Sequence, residues 1–315
     1  MPMDHEIARE QFQLTETNFT LVTGSGELTV EENGETITFV SGEVKGTFNK
    51  KSGAFTNYSA GDVSLTSLPE PYFWRAPIDN DFGNKMPSEL GLWRSVHANK
   101  RLESVEVGGR TDDGLPITVK YLLTDIKAPY TIRYVILNDG SIKVTSSMDL
   151  TGKVLPELPR FGMRMDVGGD YDYVNYYGRG PEENYSDRNS ATFVKIWQHK
   201  ASAQEMPYIR PQEYGYHTDT RWLSLTDEEH KGILIEGLQP LSFSALKIKT
   251  EDLDPGMTKK QRHPTDLVYS KDITLHVDLA QRGLGGDDSW RSYPHEPYLL
   301  NGDKYSYGFV IKLMP

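Results

Sequence analysis

Short stretches in which apolar and polar residues alternate are the feature of this sequence that most restricts its fold. Alternation gives an extended chain one side for a core and one side for water, which is typical of a half-buried β-strand. Tight turns separate some of them, and Asn138, Asp139 and Gly140 are typical of a hairpin turn. Strands are predicted at residues 35–40, 116–123, 130–137, 141–150, 160–167, 272–279 and 304–313.

Helical periodicity is weak by comparison. The best helical window, residues 84–101, contains Pro87 and Gly91, and both disfavour a continuous helix. Residues 250–264 are polar and predict a long surface loop. We find neither a repeat nor a linker that divides the chain. The sequence therefore predicts an all-β protein, a large antiparallel β-sandwich in one domain.

Charge and composition restrict the partners. The 315 residues carry a formal net charge of −11, which disfavours nucleic acid or an anionic membrane as a partner. No apolar run has the length of a transmembrane helix, and the absence of cysteine excludes disulfides and thiolate metal sites. A neutral ligand such as a sugar suits this balance, and no metal site is expected.

The first residues allow two interpretations. Residues 5–14 have the pattern of a strand, which would either pair at a sheet edge or form a tail left from a preceding domain. Charged residues stand within positions 1–12, where an export signal needs an apolar segment, so no such signal is expected here. The compartment, cytoplasm or periplasm, stays open.

The first polar motif covers residues 73–84 and includes Arg75, Asp79, Asn80 and Asp81. Alternate acidic residues faintly resemble a calcium loop, but the later carboxylates that such a loop requires are missing. We expect instead a turn in which Asp and Asn side chains accept backbone amides and Arg75 pairs with a carboxylate.

The second motif, residues 176–188, holds adjacent carboxylates at Glu182 and Glu183 between Arg179 and Arg188. Glycoside hydrolysis needs two carboxyl groups that face each other across the scissile bond. Adjacent residues of a strand point to opposite faces, so this pair fits that chemistry only in a loop. The arginines favour a salt-bridged corner.

The third motif, residues 211–223, is the best local candidate for acid–base chemistry. Glu213, His217 and Asp219 stand at alternate positions and would share one face of an extended strand, as a histidine–carboxylate pair requires. A polar outer face beside a buried tryptophan is the structural alternative, and it is favoured. The other histidines, including His276, lack the spacing of metal ligands.

The fourth motif, residues 283–290, reads GLGGDDSW. Its glycines permit backbone angles that other residues disfavour, and the aspartates and serine can fix the exit of the loop through hydrogen bonds to backbone amides. Trp290 directly after them is either core packing or an apolar platform for a ligand.

Together, and in this order, the four motifs resemble the C-terminal domain of the large family 2 β-galactosidases, which some members carry as a separate small chain. The resemblance implies the galactose-mutarotase-like supersandwich, two large antiparallel sheets packed face to face. It also implies a remnant of the preceding immunoglobulin-like domain at residues 1–15 and the C-terminal domain at 16–315. The catalytic glutamates would lie in an absent TIM-barrel domain, and the magnesium and sodium sites in other domains, so no cofactor is expected here.

The resemblance further implies that Trp290 binds the sugar or aglycone of galactosides such as lactose, while Asp287, Asp288 and Ser289 brace the loop near the site. The chain would then be a non-catalytic part of an oligomeric glycosidase, inactive alone. Two alternatives stay open: a mutarotase or epimerase that uses His217 or His276 with Glu213, and a free-standing carbohydrate-binding module.

Overall fold

Antiparallel strands form most of the regular structure in the computed structural model, which describes residues 8–20, 24–206, 208–288 and 293–315. The strands are β1 (Thr29–Asn33), β2 (Thr36–Ser41), β3 (Val44–Asn49), β4 (Ala54–Ala60), β5 (Val63–Leu65), β6 (Glu70–Tyr72), β7 (Lys100–Val107), β8 (Gly114–Leu123), β9 (Ala128–Leu137), β10 (Ile142–Asp149), β11 (Arg160–Val167), β12 (Tyr173–Gly180), β13 (Phe193–Lys200), β14 (His217–Thr226), β15 (Gly232–Leu246), β16 (Ile273–Gln281) and β17 (Lys304–Met314). Four single-turn helices are α1 (Asp79–Gly83), α2 (Met86–Glu89), α3 (Trp93–Val96) and α4 (Thr250–Leu253).

The strands pair into two antiparallel sheets. A five-stranded sheet follows chain order from β1 to β5, and a twelve-stranded sheet has the main order β13-β12-β14-β15-β17-β10-β9-β8-β7. Strand β15 divides this larger sheet. Residues 232–237 of β15 pair with β17, whereas residues 242–246 pair with β16, which leads on to β11 and β6. The larger sheet therefore folds back so that part of it lies opposite its own centre.

Aromatic contacts establish the two layers of the sandwich. On β9, Tyr134 meets Phe55 of the five-stranded sheet with ring centroids 5.1 Å apart, and Tyr130 lies 6.4 Å from Phe161 of β11. Residues 130 and 134 lie on the same face of β9, because side chains alternate along a strand. The five-stranded sheet and the β6-β11-β16 branch thus cover one face of the larger sheet, and the apolar core lies between them. The predicted antiparallel all-β sandwich is confirmed.

Each of the seven predicted strands is present, and residues 160–167 match β11 at both ends. The predicted hairpin turn is also confirmed: Gly140 has φ +83°, and the Asp139 carboxylate accepts the amide of Ser141 at 3.0 Å. A positive φ is a conformation that glycine adopts without the steric cost borne by other residues.

Two further predictions need correction in detail. The helical window at 84–101 holds only the two short helices α2 and α3, because Pro87 stands at the start of α2 and Gly91 lies between the two. The loop predicted over residues 250–264 begins with a helical turn, α4, whose Thr250 and Leu253 are buried. Burial of an apolar residue against the body of the protein thus overrides the polar composition of this segment.

Residues 8–14, part of the segment with a strand pattern, lie along the edge strand β13 without forming a strand. The Gln11 side chain satisfies both backbone groups of one edge-strand residue, Val194. It accepts the amide of Val194 at 2.7 Å and donates to the carbonyl of Val194 at 2.8 Å. Among the described residues, no helix has the length and apolar character needed to span a membrane.

Candidate functional site

The four motifs meet at the loop that follows β16, residues 283–288. Two backbone bonds fix its start: the amide of Arg282 donates to Pro159, and the amide of Gly283 donates to Tyr298. Gly285 has φ +65° and Gly286 has φ +108°, angles that residues with a Cβ rarely adopt. The glycines therefore let the chain turn sharply as it leaves the sheet.

Side chains from the first and second motifs hold this loop. The Asp187 carboxylate accepts the amide of Gly285 at 2.8 Å, and the Asn80 amide group donates to the carbonyl of Leu284 at 3.4 Å. Arg75 donates to the carbonyl of Gly283 at 3.3 Å. Three backbone groups of the loop thus have partners on segments far away in the sequence.

Below the loop lies a buried ion network, which we define as Arg75, Asp81, Glu157, Arg160, Glu213, Asp278 and Arg282. Its first half is centred on Asp81, which pairs with Arg75 through two hydrogen bonds of 2.6 and 3.0 Å. The same carboxylate accepts Arg282 at 2.9 Å, and Arg282 pairs with Glu157 at 2.8 Å. Bidentate pairing confirms the predicted bond between Arg75 and a carboxylate of its own motif.

The second half of the network is centred on Glu213. Its carboxylate accepts Arg160 at 2.7 Å, the side chain of Gln281 at 2.9 Å and the backbone amide of Ala76 at 3.1 Å. Because Ala76 follows Arg75 directly, Glu213 joins the third motif to the first. Buried charges need such partners, since an unpaired charge in the interior is strongly unfavourable.

Asp278 on β16 is the member with the least satisfied charge. Its carboxylate approaches Arg160 to 3.4 Å, but neither of its oxygens has a hydrogen-bond partner among the described residues. Burial raises the pKa of Asp278 to about 7, an effect that Arg160 opposes and Glu213 reinforces. With a pKa of about 7, Asp278 is the carboxyl group of the network that is partly protonated at neutral pH.

A cleft of about 160 Å³ opens beside the network. Polar side chains from the first three motifs and Tyr208 line it, together with the apolar Ile78 of the first motif and Leu284 of the fourth: Ile78, Asp79, Asn80, Arg188, Tyr208, Gln212, Glu213 and Leu284. Asp79 at its rim pairs with Arg210 and Lys259, each at 2.9 Å. This combination of amide, hydroxyl and charged groups around a small space suits a polar, uncharged ligand.

The residues expected to bind a ligand or brace the loop are only partly described. Trp290 and Ser289 lie outside the described residues. Asp287 pairs with His295 at 2.6 Å in an exposed contact, and Asp288 is exposed. Their roles stay predictions, whereas the bonds to the loop backbone that the structure does describe come from Asp187, Asn80 and Arg75.

Glu213 and His217, the alternative acid–base pair, have separate surroundings. Strand β14 begins only at His217, and Asp219 has φ +51°, so the three residues do not form the continuous extended face that their spacing predicts. His217 contacts the hydroxyl of Tyr176 and the carbonyl of Arg179, at 3.1 and 3.3 Å. Burial, reinforced by His199, lowers the pKa of His217 to about 3. These surroundings suit a structural histidine.

The second motif forms the predicted salt-bridged corner. Strand β12 ends at Gly180, and Glu183 pairs with Arg188 at 2.6 Å while it accepts the amide of Gly215 at 2.7 Å. Arg179 pairs with Asp219 at 2.5 Å. In the described part of the chain, no group of three or more histidine, cysteine or acidic side chains is placed to hold a metal ion.

The sequence analysis did not predict the partners of three residues that shape the site: Asp187, Asn80 and Arg282. Two of them stand inside the motifs that attracted attention, but their partners lie about a hundred or more residues away in the sequence. Arg282 directly precedes the glycine loop. The only local signal of its ion pair was its position, as a charged residue at the end of an apolar strand.

Comparison with known proteins shows the family of the chain. The sequence pattern of the family described as beta galactosidase small chain matches residues 41–311. The chain belongs to this family. It is 33% identical to a β-galactosidase of Priestia megaterium and 29% identical to one of Streptococcus thermophilus, over 98% and 99% of its own length.

The chain spans about 30% of the length of these two curated relatives. Among solved structures, a putative aldose 1-epimerase of Escherichia coli K12 aligns with 91% of the chain and 100% of its own, at 9% identity and a TM-score of 0.39. This likeness is distant, and membership rests on the family match. The resemblance to the β-galactosidase C-terminal domain is thereby confirmed.

Proposed function

We propose that this small-chain domain is a non-catalytic part of a β-galactosidase that completes the active site and binds the sugar or aglycone through Trp290. The observation that carries this proposal is the convergence of all four motifs on residues 283–288, which end two positions before Trp290 in the sequence. A rigid indole can cover the C–H face of a sugar while the hydroxyl groups keep their hydrogen bonds. Such a platform needs a fixed support, which the bonds from Asp187, Asn80 and Arg75 provide.

The carboxylates at this convergence support the non-catalytic part of the proposal. Hydrolysis of a glycoside needs one carboxyl group with a proton to donate and a second one exposed to the sugar ring. Asp81 and Glu213 are both buried and both paired with arginine, and Glu183 is held by Arg188 and a backbone amide. Their lone pairs are occupied by structural bonds, and Asp278, whose pKa is raised, is fully buried and out of reach of a sugar. The catalytic pair is therefore expected on a companion catalytic domain.

An exposed apolar surface beside the cleft fits such a companion. Ile209 is 87% exposed and Val268 72% exposed, and both stand on loops that lie next to one another, since Tyr208 and Leu267 pack against the same small core. Exposed apolar patches of this kind often mark interaction sites. We infer that residues 208–210 and 267–269 contact the catalytic domain when the sugar site is assembled.

The test compares the chain alone with the complete enzyme. The purified chain should hydrolyse a chromogenic galactoside no faster than buffer, and it should not accelerate the mutarotation of α-galactose followed by polarimetry. Galactoside hydrolysis lost in Glu213→Gln would instead make this chain catalytic, and mutarotation lost in His217→Ala would support the epimerase alternative.

In the complete enzyme, Trp290→Ala should raise KM for lactose with a smaller loss of kcat, because it removes binding shared by the ground state and the transition state. Trp222→Phe is the control, since Trp222 lies on β14 and lines a different pocket, with Phe19 and Tyr177. Unchanged KM in Trp290→Ala would refute the assignment of the sugar platform.

A further inference from the structure

Asp187 stands on a rigid turn that faces the loop 283–288. The backbones of Tyr185 and Arg188 bond each other in both directions, at 3.2 and 2.8 Å, and so close a tight turn with Asp187 inside it. Tyr185 is buried against Ile78, Tyr216 and Leu284. Packing of Tyr185 therefore anchors the base of this turn, and the Asp187 carboxylate faces the loop, where it accepts the amide of Gly285.

The loop at 283–288, which faces this turn, has more conformational freedom. Gly285 and Gly286 both have positive φ, and glycine loses more conformational freedom on ordering than any other residue. A run of this kind does not select one conformation by itself. External bonds must do so, and the bond from the amide of Gly285 to Asp187 lies at the middle of the glycine run.

The loop is also closely packed around this bond. A Cβ atom at Gly286 would lie 2.6 Å from the side-chain nitrogen of Asn80, so the loop passes close to the first motif on one side while it bonds Asp187 on the other. The amide of Gly285 meets a carboxylate, and hydrogen bonds to ionised acceptors are about twice as strong as neutral ones. Asp187 thus combines a fixed origin with a strong acceptor.

We propose that Asp187 is a positioning residue for sugar binding: it holds residues 283–288 in one arrangement, and Trp290, the proposed sugar platform, follows this loop two positions later in the sequence. This inference rests on the proposed function. It differs from the expectation that Asp287, Asp288 and Ser289 brace the loop, because it assigns the decisive bond to a residue about a hundred positions earlier in the chain.

The first test measures the loop without reference to catalysis. Hydrogen exchange of the Gly285 amide, followed by NMR in the 315-residue chain, should be at least about tenfold faster in Asp187→Ala than in the unmodified chain, because the amide loses its acceptor. Asp227→Ala is the matched control, since Asp227 also accepts backbone amides in a turn, those of Glu229 and Lys231, but at the β14–β15 hairpin. Unchanged exchange at Gly285 would overturn the proposal.

The second test asks whether Asp187 acts through Trp290. In the complete enzyme, Asp187→Ala should raise KM for lactose by about three- to thirtyfold with a smaller change in kcat. Asp187→Asn keeps an acceptor oxygen and should restore most of the affinity. The double variant Asp187→Ala/Trp290→Ala should have the KM of Trp290→Ala alone, because the support has no effect once the platform is gone.

Additive effects in the double variant would overturn the proposal, since Asp187 would then act independently of Trp290. If Trp290→Ala alone leaves KM unchanged, the proposed function fails, and the exchange experiment alone decides whether Asp187 holds the loop. The two failures are therefore distinguishable: one appears in the kinetics of the tryptophan variant and the other in the exchange of a single amide.

Discussion

The sandwich core and the buried ion network hold the chain together by different physics. In the core, aromatic and aliphatic side chains between the two layers gain free energy from leaving water, with little dependence on direction. In the network, each charge is tolerated only because particular partners face it. The core therefore accepts many sequences of similar volume, whereas the network specifies one arrangement of segments that are distant in the chain. The network lies beneath the candidate site and contributes Arg75 to it, whereas Asp187 and Asn80 hold the same loop from outside the network.

Removing one partner from the ion network should lower the stability of the fold more than any other change considered below. Asp81→Ala leaves the guanidinium groups of Arg75 and Arg282 buried without their shared carboxylate. We expect a loss of about 3–5 kcal/mol in the free energy of unfolding, measured by urea denaturation. Glu103→Ala, which removes an exposed pair with Arg101, is the control and should leave the denaturation midpoint unchanged. A small effect of Asp81→Ala would mean that water reaches these arginines and that the network is not a dry ion cluster.

The same contrast explains what the sequence could predict. Alternation is a local pattern, so β8 to β11 could be predicted to within two residues at each end. The five-stranded sheet was found only at β2, because β3 contains Gly46 and β4 is interrupted by polar residues, which weakens the alternation. The motifs identified the right segments of the site, but local patterns cannot show that Asp187 meets Gly285 or that Arg75 meets Gly283, since those bonds join residues 98 and 208 positions apart.

The second prediction concerns pH and the one neutral acid of the network. Burial raises the pKa of Asp278 from its ordinary value of 3.8 to about 7, so the folded protein binds this proton more tightly than the unfolded chain does. The stability that Asp278 contributes is therefore complete below about pH 4 and is lost as the pH rises to about 7. The groups that face it are Arg160, Glu213, Tyr216 and Tyr307.

Asp278→Asn replaces the neutral acid by a neutral side chain of the same shape. Relative to the unmodified chain, the variant should gain stability as the pH rises from 4 to 8, on the order of 2–4 kcal/mol in total. Thermal unfolding at a series of pH values measures this difference. Asp272→Asn, an exposed position at the start of β16, should keep the original pH profile. A constant difference between Asp278→Asn and the unmodified chain across this range would show that Asp278 stays charged in the fold.

The third prediction tests the tolerance of the core. Ile136 on β9 is fully buried, and Ile136→Val removes one methylene group without introducing a polar atom. We expect a loss of about 0.5–1.5 kcal/mol in the free energy of unfolding, well below that of Asp81→Ala. Ile196→Val at an exposed position of β13 should leave the denaturation midpoint unchanged. If Ile136→Val costs as much as Asp81→Ala, the core is as specific as the network and the contrast fails.

The smallest change in stability is expected at the edge of the larger sheet, where residues 8–14 lie along β13. Phe12 is 79% exposed and Leu14 92% exposed, so removal of this segment uncovers little apolar surface. The contacts described for residues 8–14 include two hydrogen bonds between Gln11 and Val194 and the cation–π contact of Arg9 with Phe193, all of them near solvent. Deletion of residues 1–14 should therefore lower the melting temperature by less than about 2 °C.

Gln11→Ala, which removes both bonds at once, should reproduce most of any change. A drop of more than about 5 °C would show that the segment belongs to the sandwich and is not a remnant of a preceding domain, because only buried apolar contacts give a tail that much stability.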